Sequence, residues 1–232
     1  MIFENQDQVV NAISNGDVIL IDKPAGISSF GVVARVRRYL SQKAGKKIKV
    51  GHTGTLDPFA TGLLILLSGK ATKLSNQFLK LDKWYEATLC LGKTSTTGDP
   101  EGVITEVNVD RKPSYSDIEK ILPDFLGRIK QTVPIFSAVK INGKRAYQLA
   151  RQGQKVEMPT REIEIYELEV LSYHFPELVI RTHVSSGTYI RTLGEDIGQA
   201  LGVGAYLTAL RRTKVGNFDL SNAKKLTDFD IS

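Results

Sequence analysis

Asp57 is the single carboxylate of the segment Lys49 to Ala60, which is rich in glycine, threonine and proline and is predicted to be a loop. It is the first acidic residue after Asp22, and the window between them, residues 23–56, has eight Lys and Arg and no Asp or Glu. A bound polyanion would raise the pKa of a nearby carboxyl group, so a protein that only binds a polyanion would avoid this arrangement. Asp57 is therefore interpreted in one of three ways: as a structural residue that starts a turn before Pro58, as a member of a structural ion pair, or as an ionised nucleophile or base.

Two further windows lack acidic residues: residues 125–156 have seven Lys and Arg side chains, and residues 197–218 have three. Such segregation of charge predicts a basic face that neutralises phosphates, although any single basic run could be ordinary solvated surface. A membrane surface would also attract basic side chains, but none of the windows has the pattern of a long amphipathic helix. A polyanionic partner is therefore expected.

Histidine and cysteine residues are few and dispersed. His52, His174 and His183 lack the spacing of metal ligands, and Cys90 is the single cysteine, so no metal site is expected. One cysteine allows no intrachain disulfide, which favours a reducing, cytoplasmic location. The most apolar stretch, Gly62 to Gly69, is far shorter than the roughly 20 residues that cross a bilayer, so no membrane span is expected.

Short strands and helices are predicted on both sides of the Asp57 loop. The predicted strands are Val18 to Asp22, Leu63 to Leu67, Trp84 to Leu91, Gly102 to Val109, Glu162 to Tyr173, Leu178 to Val184 and Ala205 to Phe218. Helices are predicted after Ser28 or Ser29, after Ser114, and from Gly187-Thr188 to Leu201. Residues Gln131 to Gly153 are predicted to form a basic excursion with a turn at Asn142-Gly143. Hairpins outnumber strand-helix-strand repeats, which predicts an α+β fold with a mixed, mostly antiparallel sheet flanked by helices.

Five segments, in family order, resemble the motifs of the TruB family of bacterial tRNA pseudouridine-55 synthases. They are DVILIDKPAGISSF, GHTGTLDPFATGLL, KWYEATLCLG, VPIFSAVKINGKRAYQLARQG, and SSGTYIRTLGEDIG together with ALRR. The chain departs from the family at Thr96, where an additional Asp is usual, and agrees with it at Asp99. The resemblance implies the pseudouridine synthase fold in a single catalytic domain over residues 1–232. It also implies an RNA-gripping insertion at about residues 128–156, and no C-terminal PUA domain is expected.

The same resemblance assigns Asp57 as the catalytic carboxylate and Arg191 as the partner that keeps it ionised. The other residues implied at the substrate are Tyr85, which stacks on the target base; Tyr189 and Leu210, which line the pocket; His52, which fills the space left by the flipped nucleotide; and Lys23, which supports the loop or contacts the RNA backbone. Without the resemblance, Tyr85, Tyr189 and Leu210 would be interpreted as packing residues, and Arg191 as a surface or phosphate-binding arginine. The residues predicted to contact the RNA backbone are Lys140, Lys144, Arg145, Arg151 and Arg211.

The resemblance therefore implies an isomerase that converts uridine 55 in the T loop of tRNA to pseudouridine without a guide RNA. Neither a cofactor nor a metal is expected, because the reaction involves no net oxidation and no transferred external group. The expected partner is the T loop and stem of tRNA, the expected state is a monomer, and no obligatory protein partner is expected. Two alternatives stay open: a non-catalytic tRNA-binding or folding protein, and a guide-dependent synthase of H/ACA particles.

Overall fold

The computed structural model describes residues 16–141, 143–154 and 156–230. Its strands are β1 (Val18–Lys23), β2 (Val50–His52), β3 (Thr61–Ser68), β4 (Lys83–Leu91), β5 (Lys93–Ser95), β6 (Ile104–Glu106), β7 (Gly127–Thr132), β8 (Lys140–Ile141), β9 (Lys144–Arg145), β10 (Thr160–His174), β11 (Glu177–Val184), β12 (Ala205–Val215), β13 (Phe218–Asp219) and β14 (Lys224–Lys225). Its α-helices are α1 (Ser29–Lys43), α2 (Ser75–Leu79), α3 (Tyr115–Ile121), α4 (Ala146–Arg151) and α5 (Ile190–Ala200). Short 3₁₀ helices cover Gly69–Leu74, Leu122–Phe125, Leu220–Asn222 and Leu226–Phe229.

The chain forms two compact units. The first contains the described residues up to Tyr85 together with those from Leu210 onward, and the second is Glu86–Ala209. Strands β4 and β12 each contribute residues to both units.

In the first unit the strand order is β14, β1, β3 and β12. Strands β1 and β3 are antiparallel, with Val18 opposite Leu67 and Lys23 opposite Gly62. Strands β3 and β12 are parallel, and β2 and β13 add antiparallel pairs to β3 and β12. The sheet of this unit is therefore mixed, as the sequence predicts.

The apolar run of β3 is buried on both faces, which explains why it lacks the alternation of a half-exposed strand. On one face its side chains join a cluster of Leu63, Ile65, Leu67, Ala71 and Val215. Helix α1 begins where the Ser28 side chain accepts a hydrogen bond from the Gly31 N–H. It buries Val32, Val33, Val36 and Leu40, which recur at helical spacing.

In the second unit the strand order is β4, β11, β10 and β7. Strand β10 is antiparallel to both β11 and β7, and β5 with β6 and β8 with β9 form two small antiparallel pairs. Helix α3 begins at a capping box, in which Ser114 and Asp117 bind each other's backbone N–H groups. The predicted α+β class with a mostly antiparallel sheet is confirmed.

Several predicted elements differ in extent from the observed ones. The segment Lys49 to Ala60 contains the short strand β2, because Val50 to His52 pairs with the edge of β3. The strand predicted at Gly102 to Val109 is restricted to Ile104–Glu106, and the helix predicted from Gly187 begins at Ile190. Asn142 of the predicted turn lies outside the described residues.

Candidate active site

The backbone on the N-terminal side of Asp57 is held by Ser29. The Ser29 hydroxyl donates to the Leu56 carbonyl oxygen at 2.8 Å and accepts from the Leu56 N–H at 2.8 Å. Ser29 and Leu56 are both buried. One side chain from the first turn of α1 thus satisfies both backbone groups of the residue before the predicted catalytic carboxylate.

The backbone on the C-terminal side of Asp57 is held by Lys23, which is 0% exposed. Its ammonium group donates to the carbonyl oxygens of Pro24, Ile27 and Pro58 at 2.9, 2.7 and 3.1 Å. The Pro58 oxygen also accepts from the Gly26 N–H at 2.8 Å. Of the two roles considered for Lys23, these contacts are those of a residue that supports the loop.

Asp57 itself is partly exposed, whereas Leu56 beside it is buried. Its carbonyl oxygen accepts from the Ala60 N–H at 3.1 Å, which closes a turn over Pro58. A carboxylate on a turn that is fixed on both sides has little conformational freedom to lose when a substrate binds. This geometry suits a group that acts on a bound molecule.

A third side chain, Arg212 of β12, holds both ends of this loop and is 2% exposed. Its Nε donates to the Leu63 carbonyl oxygen at 2.7 Å and its Nη2 to the Gly54 carbonyl oxygen at 3.2 Å. Gly62 lies opposite Arg212 with φ +100, and a Cβ there would be 2.3 Å from the Arg212 carbonyl oxygen. The sequence pattern placed Arg212 in the middle of a strand and indicated no role for it.

His52 ends β2 and accepts a hydrogen bond at Nδ1 from the Gly54 N–H, 3.4 Å away. Burial, and then the charge of Arg212, lower the pKa of His52 below its ordinary value. The predicted role of His52 in filling the space left by a flipped nucleotide stays a prediction.

Tyr85 and Leu210 are both buried, each being 7% exposed. Tyr85 lies on β4, where buried and partly buried residues alternate, so its burial fits a packing residue as well as a pocket residue. The Leu210 carbonyl oxygen accepts from the Thr61 hydroxyl at 3.5 Å, which brings Leu210 to the end of the Asp57 loop. The stacking role of Tyr85 and the pocket role of Leu210 stay predictions.

Arg211, predicted to contact the RNA backbone, forms an ion pair within the first unit. Its Nη2 lies 2.9 Å from Asp22 Oδ2 and its Nη1 lies 3.2 Å from Asp22 Oδ1, with the Thr61 hydroxyl 3.4 Å from Nη1. The side chain is about 39% exposed, which leaves part of the guanidinium open to solvent. Its predicted contact with RNA is not tested by this pairing.

In the second unit Arg191 lies in the first turn of α5, and its side chain is 5% exposed. Its guanidinium donates to the carbonyl oxygens of Thr97 and Phe136 at 2.7 and 2.9 Å. Asp99 Oδ2 lies 3.4 Å from Arg191 Nη1, and Asp99 is held in turn by the Thr97 hydroxyl at 2.6 Å. Because Asp57 and Arg191 belong to different units, their predicted pairing stays a prediction.

Tyr189 caps α5 and is held by two side chains that the sequence pattern did not identify. The buried Gln131 accepts from the Tyr189 N–H at 2.8 Å and donates to the Tyr189 carbonyl oxygen at 3.0 Å. The Arg161 guanidinium lies over the Tyr189 ring, 5.2 Å from its centroid. No local periodicity marks Gln131 or Arg161, since both act on a residue far away in the sequence.

The predicted RNA-gripping insertion presents basic side chains on the β8–β9 pair. Lys140, Lys144 and Arg145 are exposed, and the Arg145 guanidinium donates to the Ala138 carbonyl oxygen at 3.5 Å. Arg151 ends α4, and its side chain lies outside what the structure describes. Three of the five predicted backbone-contacting residues therefore lie together on one exposed hairpin.

Within residues 16–141, 143–154 and 156–230, no three His, Cys, Asp or Glu side chains are grouped so that they could hold a metal ion. In the same part of the chain, no helix has both the length and the apolar character needed to span a membrane.

Residues 37–190 match the TruB family pseudouridylate synthase N-terminal domain, and residues 191–231 match the tRNA pseudouridylate synthase B C-terminal domain. The chain is 46% identical over 215 residues to a protein of Phocaeicola vulgatus named tRNA pseudouridine synthase B, and this match covers 92% of each chain. It is 49% identical over 224 residues to a protein of the same name from Desulfotalea psychrophila, covering 92% of this chain and 87% of that one.

Two solved structures share the fold. A chain in the crystal structure of a Cbf5-Nop10-Gar1 complex matches with a TM-score of 0.72 and 32% identity, over 95% of this chain and 55% of that one. A chain in an H/ACA RNP bound to a substrate RNA matches with a TM-score of 0.69 and 28% identity, over 97% of this chain and 54% of that one. This chain thus spans little more than half the length of these two structural relatives.

The fold and the sequence matches together define a pseudouridine synthase, which is an isomerase. Within that class the chain belongs to the TruB family. The predicted family and the predicted enzyme class are confirmed.

Proposed function

We propose that this enzyme converts uridine 55 in the T loop of tRNA to pseudouridine, with Asp57 as the catalytic carboxylate and without a guide RNA. The observation that carries the proposal is the fixed loop around a partly exposed Asp57, whose neighbours are bound by Ser29 and Lys23. The relatives named tRNA pseudouridine synthase B support the choice of substrate.

The reaction breaks the bond between N1 of uracil and C1′ of ribose, turns the base over and joins C5 to C1′. The proton that leaves C5 is balanced by the one gained at N1, so no electron acceptor and no second substrate are needed. A carboxylate is the group that must be ionised for this work, and the proposed role of Arg191 is to keep Asp57 in that form. The guanidinium of Arg191 is buried and held in place by two carbonyl oxygens and by Asp99.

A base inside a folded RNA must leave its stack before the enzyme can reach C1′, at a cost of a few kcal/mol. The proposed roles of the remaining residues follow from that step. Tyr85 stacks on the extruded uracil, Tyr189 and Leu210 line its pocket, and His52 occupies the space that it leaves. Lys140, Lys144, Arg145, Arg151 and Arg211 are proposed to contact the RNA backbone.

The first test uses an unmodified tRNA transcript and chemical mapping of pseudouridine. The wild-type protein is expected to modify position 55 of the T loop, and Asp57→Asn is expected to lower the rate by at least about 10²- to 10⁴-fold, because the amide is neither base nor nucleophile. Binding of tRNA should change little. Asp124→Asn, at an exposed position, is the matched control and should retain activity.

Activity that survives in Asp57→Asn would remove Asp57 from its proposed role. Wild-type protein that binds tRNA but forms no pseudouridine would support the alternative of a non-catalytic tRNA-binding or folding protein. A requirement for added guide RNA and partner proteins would favour the guide-dependent alternative, which the likeness to a chain from a Cbf5-Nop10-Gar1 complex motivates. The single catalytic domain, the monomeric state and the cytoplasmic location stay predictions.

A further inference from the structure

We propose that Arg212 is a positioning residue that fixes His52 as a neutral imidazole with its proton on Nε2. Arg212 also binds the carbonyl oxygens of Gly54 and Leu63, which lie at the two ends of the loop that carries Asp57. All the residues involved belong to the first unit. The catalytic part of the proposal rests on the proposed function, whereas the effect on His52 does not.

The first step is the pair of hydrogen bonds that Arg212 makes. Gly54 precedes Asp57 by three residues and Leu63 follows it by six, and both carbonyl oxygens are bound by one guanidinium. A planar guanidinium presents its N–H groups in a rigid fork, so it sets the spacing between the two carbonyl oxygens that it binds. The ends of the loop are therefore held at a defined separation.

The second step leads from Gly54 to His52. The Gly54 carbonyl oxygen accepts from Arg212, while the Gly54 N–H donates to His52 Nδ1. A ring nitrogen that accepts a hydrogen bond bears no proton, so the proton of the neutral ring is on Nε2. Gly54 is thus held through both its backbone groups, and its orientation selects the tautomer of His52.

The third step is electrostatic. Arg212 is buried, and its guanidinium binds two backbone carbonyl oxygens. Burial is the largest cause that lowers the pKa of His52, and the charge of Arg212 is the second. Burial and then the charge of Arg212 also lower the pKa of Lys83 to about 8, although Asp82 raises it. Among the described charged groups, Arg212 is the one that acts on His52.

A neutral ring is the useful form for a side chain that replaces a nucleotide. Transfer of a charged imidazolium from water into a base stack would cost desolvation energy that a neutral ring avoids. The negative phosphates of a bound RNA would stabilise the protonated form of His52 and so raise its pKa. Arg212 opposes that effect from the protein side, because its charge lowers the pKa of His52.

The test is ¹⁵N-resolved NMR of the free protein over a range of pH, which reports the tautomer and the pKa of each imidazole. The chain has three histidines, so His52 is assigned by comparison with His52→Gln. In Arg212→Met the pKa of His52 should rise and its neutral form should become a mixture of tautomers. Lys214→Met removes a charge from an exposed position of the same strand and should change neither property.

A second variant separates charge from geometry. Arg212→Lys keeps the charge but lacks the planar fork, so the pKa of His52 should stay low while the loop loses its fixed separation. On tRNA, kcat should fall by about 10- to 100-fold in both Arg212 variants, since a small misplacement of a reacting group has effects of this order. The dissociation constant for tRNA should change less than about threefold, because Arg212 is buried away from the RNA.

Arg212→Met with an unchanged pKa and tautomer of His52 would overturn the proposal, as would an equal effect of Lys214→Met. If Arg212→Met does not fold, Arg212→Lys decides, and wild-type kcat in that variant would overturn the positioning role. The NMR experiment needs no RNA. A protein that fails to modify tRNA but shows the expected change at His52 would therefore contradict the proposed function and support the effect of Arg212 on His52.

Discussion

The backbone on both sides of Asp57 is held by contacts of its two neighbours. Leu56 and Pro58 have backbone groups buried against Ser29 and Lys23, and each of those groups is bound. A buried polar group that loses its partner costs about 1–3 kcal/mol, so an alternative loop conformation would have to satisfy all of them again. The loop has one favourable arrangement because the others leave such groups unpaired.

Ser29→Ala is predicted to destabilise the protein by about 1–3 kcal/mol, because the N–H and the carbonyl of the buried Leu56 would both lose their partner. Urea denaturation measures this loss. The rate of pseudouridine formation should fall by about tenfold, since the loop that carries Asp57 is no longer held on its N-terminal side.

Ser28→Ala is the control for that variant. It removes the cap of α1 and should cost about 1 kcal/mol of stability, but the Ser28 hydroxyl binds the Gly31 N–H of the helix, so the rate should be unaffected. If Ser28→Ala and Ser29→Ala lowered the rate of pseudouridine formation equally, Ser29 would have no specific role in holding the loop.

Tyr189 and Arg191 lie two residues apart at the N-terminal end of α5, and the C-terminal part of α5 packs closely against the chain that follows it. At Gly198 a Cβ would be 2.3 Å from the Ala205 backbone nitrogen, at the start of β12. Ile197 and Gly198 are buried, whereas Gln199, the next residue, is exposed. The close approach at Gly198 therefore fixes the helix against the strand that follows it.

Gly198→Ala is predicted to destabilise the protein by about 1–3 kcal/mol, because the backbone at Ala205 must move to admit the methyl group. The gain in helix propensity from Gly to Ala, about 1 kcal/mol, is too small to reverse the sign. Thermal or urea unfolding provides the measurement. Gln199→Ala should be close to neutral, and a Gly198→Ala variant as stable as the wild type would contradict the close packing.

At the scale of the whole molecule, the charge is segregated along the chain. Residues 125–156 have seven Lys and Arg and no acidic residue, and the structure places Lys140, Lys144 and Arg145 exposed on the β8–β9 pair. Exposed charges of one sign on one hairpin can bind phosphates. The proposed RNA-gripping role depends on them.

Replacing Lys140 and Lys144 with glutamine is predicted to weaken tRNA binding more at low salt than at high salt. The plot of log K against log salt should become shallower by about 0.7–0.9 for each phosphate that the protein no longer neutralises. Filter binding at several salt concentrations gives the slope. Lys112→Gln with Lys120→Gln removes the same charge from exposed positions of the same unit and should leave the slope unchanged, so equal slopes in both double variants would refute the assignment.

Most of the strands and helices followed from local pattern. The apolar run of β3, the alternation of β4 and β10, and the serine caps of α1 and α3 depend on residues close together in the chain. Strand β2 was missed, because its three residues form a strand only by pairing with the edge of β3. The predicted strand at Gly102 to Val109 was too long for a comparable reason, since its ends find no partner strand in the described residues.

The sequence by itself determined the family, the α+β class and the identity of Asp57 as the candidate carboxylate, because motifs and periodicity are properties of neighbouring residues. Only the tertiary structure decided what holds these residues in place. Arg212 binds Gly54 across 158 positions, Arg191 binds Thr97 across 94, and Gln131 binds Tyr189 across 58. Contacts of this kind join buried polar groups that are distant in sequence, and no local pattern specifies them, since each depends on how the strands between them are paired.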